Sequence, residues 1–312
     1  MSESPRFLIS RLSSLGDVVC SLPAAAALKD GFPGAHVTWV VDKRFADIVR
    51  CCRSVDQTVV WDRKPQWLFD GSAVGAGEVV YEAALDLQGL LKSALVVGRV
   101  KAKQRVGYHR QREGTALFCR RVLPDPSSIH VVDQYVDVAR AIGGIADRAR
   151  FDLYPDQQAT ERVRALLDGS PAGEFIVVNP GSAQAWKRWP VGHFAKLVDD
   201  LPLPAVLIGS KAETGGAEIV ELSRTKPKNL TGMTSIGELI ALIGMARAHI
   251  GGDTGSTHIA AAMDIPAIGL YSPTRPERSC PYGQISRCHF DPEDLSKIQP
   301  EEVLYTVKEA LA

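Results

Sequence analysis

Apolar residues along the chain follow two alternating patterns. Short, nearly continuous apolar runs are typical of buried parallel strands, and the stretches between them carry the spacing of amphipathic helices. In the first half these patterns predict strands at 7–12, 36–41, 58–61, 83–87 and 105–107, and helices at 16–29, 90–97 and 131–142. Strands that alternate with helices favour βαβ units and a parallel sheet.

The alternation pauses near residues 150–172 and then resumes. In the second half it predicts strands at 175–179, 205–209, 230, 248–251 and 267–271, and helices at 159–167, 191–199, 217–223, 236–246, 259–263 and 300–311. We therefore predict an α/β protein with two Rossmann-like domains, 1–155 and 156–312, whose last helix could pack on either one. Ligands of such sheets bind at the carboxyl ends of the strands, so two facing domains would form a cleft.

Composition narrows the class of protein. Lys and Arg total 36, and Asp and Glu also total 36, so the formal net charge is zero. The charge balance therefore does not favour a nucleic-acid-binding protein. The chain starts with polar residues, which argues against a signal peptide, and it has no run of about 20 apolar residues that could span a membrane. Its six cysteines lack CxxC spacing. We therefore predict a cytoplasmic protein with reduced thiols. Residues 92–121, however, hold nine Lys or Arg and one acid, Glu113. This basic stretch predicts an anionic partner, or else a solvated face.

The segment from Gly252 to His258 joins a predicted buried strand to a predicted helix. Asp253, Thr254 and Gly255 would place free backbone amides and the positive end of the helix dipole at one point, which suits a phosphate. Ordinary helix capping is the alternative. His258 follows one turn into the helix, and no second ligand stands at metal-binding spacing. We therefore expect a structural or phosphate-contacting histidine and no metal site.

Ser13-Ser14-Leu15-Gly16-Asp17 directly follows the first predicted strand. Gly16 permits close approach of the backbone to a ligand, and Asp17 lies where a helix start favours negative charge. Asp17 is therefore either a capping carboxylate or a general base. The segment is not GxGxxG, and Asp42 lies only close to the acidic position of a dinucleotide site, so NAD is disfavoured without being excluded.

Three loops of the second half also carry candidate chemistry. Lys187 lies near a predicted helix start, where the helix dipole does not favour a cation, so a lysine there is expected to contact a bound anion such as a phosphate. The alternative is that Lys187 is a solvated charge beside a packed pair of tryptophans. Glu213 could accept hydrogen bonds from ribose hydroxyls, and Met233 could pack on an adenine face. Each of these residues is more often ordinary than functional when it is considered alone.

Taken together, these segments resemble glycosyltransferase family 9, the bacterial heptosyltransferases, and most of all the heptosyltransferase I group. The similarity lies in Ser13-Ser-Leu-Gly-Asp17, Leu22-Pro-Ala24, Trp39-Val-Val41, Asp86-Leu-Gln-Gly-Leu-Leu-Lys-Ser93, Lys187-Arg-Trp-Pro190, Asp253-Thr-Gly-Ser-Thr-His258, Ala261-Ala and Tyr271-Ser-Pro-Thr274. The resemblance implies the GT-B fold. It also implies transfer of L-glycero-D-manno-heptose from ADP-heptose to a Kdo/lipid A acceptor of the lipopolysaccharide inner core, without a required cofactor.

The resemblance also implies roles for individual residues. Asp17 would be the catalytic base. The acceptor would contact Ser14, Gly16, Lys92 and Arg112. The donor would contact Ser182, Lys187, Glu213, Met233, Asp253, Thr254, Gly255 and His258. At Ser182-Ala183 the sequence departs from a Thr pair that is frequent in the family, which removes one hydroxyl.

Partners and location are further expectations. The anionic acceptor and the basic stretch imply peripheral attachment to the cytoplasmic face of the inner membrane. Two alternatives remain: a heptosyltransferase II-like or other GT-B enzyme with a different sugar or acceptor, and a non-catalytic nucleotide-sugar-binding protein. The presence of both Asp17 and Lys187 weighs against the second alternative.

Overall fold

The computed structural model describes residues 4–64, 74, 79–168, 171–182 and 184–312. The chain forms two compact units, Met1–Leu153 and Tyr154–Ala312. Each unit is built on a six-stranded parallel sheet with helices between the strands. Within the described ranges, no helix is both long and apolar enough to cross a membrane.

The first unit has the strand order β3-β2-β1-β4-β5-β6, and every neighbouring pair is parallel. Its strands are β1 Arg6–Ser10, β2 His36–Asp42, β3 Gln57–Trp61, β4 Val80–Asp86, β5 Lys101–Tyr108 and β6 Arg120–Val122. Its helices are α1 Leu15–Ser21, α2 Pro23–Gly31, α3 Ala46–Arg50, α4 Leu91–Arg99 and α5 Val131–Arg140. The central strands β1, β2 and β4 are buried over their carboxyl-terminal residues, as their apolar sequences predict.

The predicted single helix at 16–29 is wrong, because the structure divides it into α1 and α2 at Pro23. Proline has no amide hydrogen to continue the helical bonding, and it is favoured in the first turn of a new helix. The amide of Leu22 instead bonds to the carbonyl of Val19, at 3.1 Å, and closes α1.

The second unit repeats the same strand order, read as β9-β8-β7-β10-β11-β12. Its strands are β7 Ile176–Asn179, β8 Ala205–Leu207, β9 Lys228–Asn229, β10 Ala248–Gly252, β11 Ala267–Tyr271 and β12 Cys288–Phe290. Its helices are α6 Gln157–Leu166, α7 Val191–Asp200, α8 Gly215–Leu222, α9 Ile236–Met245, α10 Gly255–Ala262 and α11 Pro300–Leu311. The strand predicted at Leu230 is wrong by one residue, since β9 ends at Asn229. Helix α11 packs on α7, β10 and β11, with Val303 and Val307 in the core.

Within each unit, the strand order brings that unit's candidate segments to one end of its sheet. In each unit the order reverses between the first and fourth strands, which are β1 and β4 in one sheet and β7 and β10 in the other. Ligands of open parallel sheets bind outside the carboxyl ends of the strands at such reversals. The loops after these four strands contain most of the residues that the sequence singles out.

Candidate active site

Asp17 lies in the first turn of α1, the helix that follows β1. Ser14 is the N-cap residue, and its Oγ and its backbone N donate to Asp17 Oδ2 at 2.7 and 3.2 Å. On the other side, Arg11 Nη2 lies 2.8 Å from Asp17 Oδ1. The Asp17 side chain is 44% exposed, against 6% for Arg11. Ser14 and Arg11 therefore fix the Asp17 carboxylate, which is still open to solvent. A capping role and a reactive role for Asp17 are compatible.

Arg11 is a site residue that the sequence reasoning missed. Its Nη1 donates to the carbonyl of Leu87 at 2.5 Å, and its guanidinium lies 5.2 Å from the ring centroid of Tyr135. Burial by itself would lower the pKa of Arg11, but the charges of its neighbours, including Asp17, raise it. A cation therefore persists beneath Asp17. The available signal was a charged residue at the end of an apolar strand.

The loop after β4 is bonded to the loop after β1 through Gln88. Gln88 Oε1 accepts from the Leu12 amide at 2.9 Å, and Nε2 donates to Ser13 Oγ at 3.3 Å. Asp86 Oδ1 accepts from the amides of Gln88 and Gly89 at 2.9 and 3.0 Å, and burial raises the pKa of this carboxyl. These bonds fix the two loops at the carboxyl end of the sheet.

Lys92 and Arg112, the predicted acceptor contacts, flank this pair of loops. Lys92 is in the first turn of α4, with Nζ 5.7 Å from the ring centroid of Trp61, and burial lowers its pKa. The Arg112 amide donates to the carbonyl of Gly89 at 2.9 Å, while the Arg112 side chain is exposed. Two basic residues thus come from separate segments to the same end of the sheet.

Asp42, considered above for a dinucleotide, is bound by arginines. Arg44 donates to its two oxygens from Nε at 3.0 Å and from Nη2 at 2.9 Å. Arg63 Nε lies 3.4 Å from Oδ2. Burial would raise the pKa of Asp42, but the hydrogen bonds from Arg44 lower it overall. Its oxygens are therefore engaged within the unit.

In the second unit, Lys187 and His258 converge on Asp253. Lys187 Nζ lies 2.9 Å from Asp253 Oδ2, and His258 Nε2 lies 3.7 Å from Oδ1. Burial would raise the pKa of Asp253, but hydrogen bonds and charge from His258 and Lys187 lower it. An ammonium has three donor hydrogens, so Lys187 can contact Asp253 and still donate to an anion at the start of α10.

A polar network under this turn was missed by the sequence reasoning. Asn179 Nδ2, at the end of β7, donates to Ser256 Oγ at 2.8 Å and to Thr254 Oγ1 at 3.3 Å. Ser256 Oγ also lies 3.0 Å from Nε2 of His249, which is fully buried in β10. Burial, with a smaller effect of His258, lowers the pKa of His249 to about 3, so the ring is neutral. The signal for the network was a histidine inside a buried strand.

Glu213 reaches the loop that follows β7. Its Oε2 accepts from the Ser210 amide at 2.5 Å, and a Cβ added at Gly181 would lie 2.1 Å from Oε1. Glycine at 181 therefore permits the approach that places Glu213 beside the segment containing Ser182, whose side chain is buried. Ala183 lies outside the described residues. Met233, on the turn after β9, is 56% exposed.

The described part of the chain contains no group of three His, Cys, Asp or Glu side chains arranged to hold a metal ion. The polar groups at the start of α10 are the Lys187 ammonium, the Asp253 carboxylate, the hydroxyls of Thr254 and Ser256, and the first backbone amides of the helix. Such an arrangement is suited to phosphate oxygens and sugar hydroxyls.

Comparison with known proteins identifies relatives over most of the chain. Residues 75–301 match the model of glycosyltransferase family 9 (heptosyltransferase). The lipopolysaccharide core heptosyltransferase OpsX of Haemophilus influenzae is 28% identical, over 91% of this chain and 84% of that protein. Lipopolysaccharide heptosyltransferase 1 of Pseudomonas aeruginosa is 30% identical, over 91% of this chain and 83% of the relative.

A solved structure of E. coli heptosyltransferase WaaC with ADP has the same fold. It superposes with a TM-score of 0.79 at 23% identity, and the match covers 98% of this chain and 99% of that one. The GT-B fold expected from the sequence is confirmed.

Proposed function

The chain belongs to glycosyltransferase family 9, and from this membership we propose that it is an inverting heptosyltransferase of lipopolysaccharide core synthesis. It transfers L-glycero-D-manno-heptose from ADP-heptose to a Kdo/lipid A acceptor. The observation that carries the proposal is the Asp17 carboxylate, which is exposed yet fixed by Ser14 and Arg11 at the strand-order reversal of the first sheet.

The donor binds to the second unit in this proposal. Lys187 and the first-turn amides of α10 receive the diphosphate, Glu213 accepts from the ribose hydroxyls, and Met233 covers the adenine. The structure of E. coli heptosyltransferase WaaC contains ADP, which supports a nucleotide-sugar donor for this chain. Lys187 and the positive end of α10 would also stabilise the charge that develops on ADP as it leaves.

The first unit supplies the base. Asp17 removes the proton of the acceptor hydroxyl while that oxygen attacks the anomeric carbon from the face opposite ADP. The new glycosidic bond forms as the bond to the diphosphate breaks, so the configuration inverts. Lys92 and Arg112 offer positive charge to the phosphates or carboxylates of the acceptor.

We also propose that the protein works at the cytoplasmic face of the inner membrane. The support is the basic stretch of residues 92–121 and an acceptor that carries lipid. Positive charge near an anionic leaflet favours such attachment.

Turnover with defined substrates tests the proposal. Purified protein should release ADP and add one heptose when it receives ADP-heptose and Kdo-lipid A. Other nucleotide sugars, and a core already carrying the first heptose, serve as comparison substrates. Transfer only with one of these would identify a different transferase of the same fold. ADP binding without transfer to any acceptor would instead support a non-catalytic nucleotide-sugar-binding protein.

A further inference from the structure

Two tryptophans lie close together in the segment between β7 and α7, and they differ in burial. Trp189 is 3% exposed and belongs to the core of the second unit, where its Nε1 donates to the carbonyl of Ile298 at 3.0 Å. Trp186 is 56% exposed. The alternative interpretation of Lys187, a charge beside a packed pair of tryptophans, is therefore wrong for Trp186.

The backbone around Trp186 is held in place. Ala185–Lys187 forms one helical turn, in which the Lys187 amide donates to the carbonyl of Gln184 at 3.0 Å. A Cβ added at Gly252 would lie 3.6 Å from the carbonyl oxygen of Lys187, so this turn lies against the end of β10. These backbone contacts fix residue 186 beside the start of α10.

The Trp186 ring also contacts the lysine proposed to bind the diphosphate. Lys187 Nζ lies over this ring, 5.2 Å from its centroid, and the same ammonium lies 2.9 Å from Asp253 Oδ2. The face of an aromatic ring carries partial negative charge and attracts a cation. A single exposed apolar side chain needs no explanation, but this one lies within the candidate site.

The order of the strands separates Trp186 from the residues proposed for the nucleoside. Met233 follows β9 and Glu213 follows β8, whereas Trp186 follows β7, and the strands are adjacent in the order β9-β8-β7-β10. A donor whose adenine lies at Met233 and whose diphosphate lies at Lys187 places its sugar beyond the ribose. Trp186 is therefore at the diphosphate and sugar end of the donor and not at its adenine end.

We propose that the indole of Trp186 is the surface on which the transferred heptose ring of the donor packs. One face of a sugar ring presents C–H groups, whose partial positive charge is attracted by the negative face of an indole. Packing of the two surfaces also removes apolar area from water. The inference deepens the proposed function and rests on it, because the sugar is the one carried by the proposed donor.

Isothermal titration calorimetry with ADP and with ADP-heptose tests this contact. Trp186→Ala should weaken the binding of ADP-heptose by about tenfold, since the sugar loses an aromatic surface. The same variant should leave the Kd for ADP unchanged, because ADP has no heptose to pack on the ring. Trp186→Phe keeps an aromatic face and should retain most of the affinity for ADP-heptose.

Tyr305→Ala is the matched control, because Tyr305 is a 65% exposed aromatic residue on α11 of the same unit. This variant should bind both ligands as the wild type does. If Trp186→Ala weakens ADP and ADP-heptose equally, the ring acts on the nucleotide or on Lys187, and the inference is wrong. Unchanged binding of both ligands, or a higher KM for the acceptor alone, would also overturn it.

The binding measurement needs no acceptor, which separates this inference from the proposed function. A selective loss of ADP-heptose binding in Trp186→Ala, without heptose transfer to Kdo-lipid A by wild type, would support the packing surface and reject the proposed reaction. Heptose transfer by wild type, with unchanged ADP-heptose binding in Trp186→Ala, would reject the packing surface alone.

Discussion

The Arg11 guanidinium forms an ion pair with the Asp17 carboxylate, with 2.8 Å between Nη2 and Oδ1. The arginine side chain is buried, whereas the aspartate side chain is nearly half exposed. The same guanidinium donates to the carbonyl of Leu87. The orientation of Asp17 is therefore tied to the loop after β4.

Asp17→Asn should lower kcat by about 10²- to 10⁴-fold, the usual contribution of a general base. Asparagine keeps the shape of the side chain and an oxygen that can accept hydrogen bonds from Ser14, so the fold should be retained. The measurements are heptose transfer and the Kd for ADP, which should not change. Asp47→Asn, at an exposed ion pair with Arg50, is the control. A kcat close to that of wild type would remove Asp17 from the mechanism.

Arg11→Lys should lower kcat by about tenfold while the KM for donor stays the same. Lysine keeps the charge, but it lacks the planar fork that reaches Asp17 and Leu87 together. Steady-state kinetics separate the two constants. Arg50→Lys, at a surface pair, should change neither of them. A rise in donor KM with constant kcat would contradict the positioning of Asp17 by Arg11.

Lys187→Ala should weaken ADP binding by about 10- to 100-fold, as expected for the loss of a hydrogen bond to a charged group. Isothermal titration calorimetry measures this change. Lys196→Ala is a matched variant, since Lys196 is exposed and paired with Glu301. If both variants bind ADP equally well, Lys187 does not contact the diphosphate.

Ser256→Ala should lower the free energy of unfolding by about 1–3 kcal/mol, because Asn179 and His249 each lose a buried hydrogen-bond partner. It should also weaken ADP binding, since the network supports the turn at Thr254. Urea denaturation and calorimetry measure the two effects. Ser223→Ala is the control: Ser223 is also buried, but its hydroxyl has no partner within the described residues. Equal effects of both changes would show that the network contributes nothing.

Asp199→Asn should destabilise the protein by about 1–2 kcal/mol at neutral pH. Burial would raise the pKa of Asp199, but hydrogen bonds from the amides of Arg224 and Thr225 lower it to about 2. A lowered pKa stabilises the fold above the unfolded value near 3.9. The difference between wild type and variant should therefore shrink as the pH falls from about 4 to 2.

Urea denaturation at several pH values checks this dependence. Asp200→Asn, at the neighbouring exposed carboxylate, is the control. A difference that stays constant across this pH range would exclude Asp199 as its source.

The sequence predicts the central strands well, because a strand buried on both faces must be apolar throughout. Strand β11 lies at the predicted residues, and β10 extends one residue beyond the prediction. The edge strands β6 and β12 were missed, since three residues with partial exposure carry no clear period. The break at Pro23 was missed because the apolar spacing continues through it.

In the candidate site too, the sequence predicted some features and missed others. Sequence spacing predicted Asp17 and Asp253 as candidates, because each lies where a predicted strand gives way to a predicted helix; in the structure Asp17 is in the first turn of α1 and Asp253 lies between β10 and α10. It did not identify the contact of Arg11 with Leu87 or that of Asn179 with Ser256. Those pairs are 76 and 77 residues apart and meet only when neighbouring strands align. Sequence position alone contains no such information.

The near contact of Gly181 and Glu213 has a consequence for enzyme engineering. Any side chain introduced at 181 takes the space of the Glu213 carboxylate, so that one substitution perturbs two positions. Libraries that aim to change the nucleotide-sugar preference should therefore vary these residues jointly. A screen that samples position 181 alone would assign to that position an effect that arises from the displaced Glu213 carboxylate.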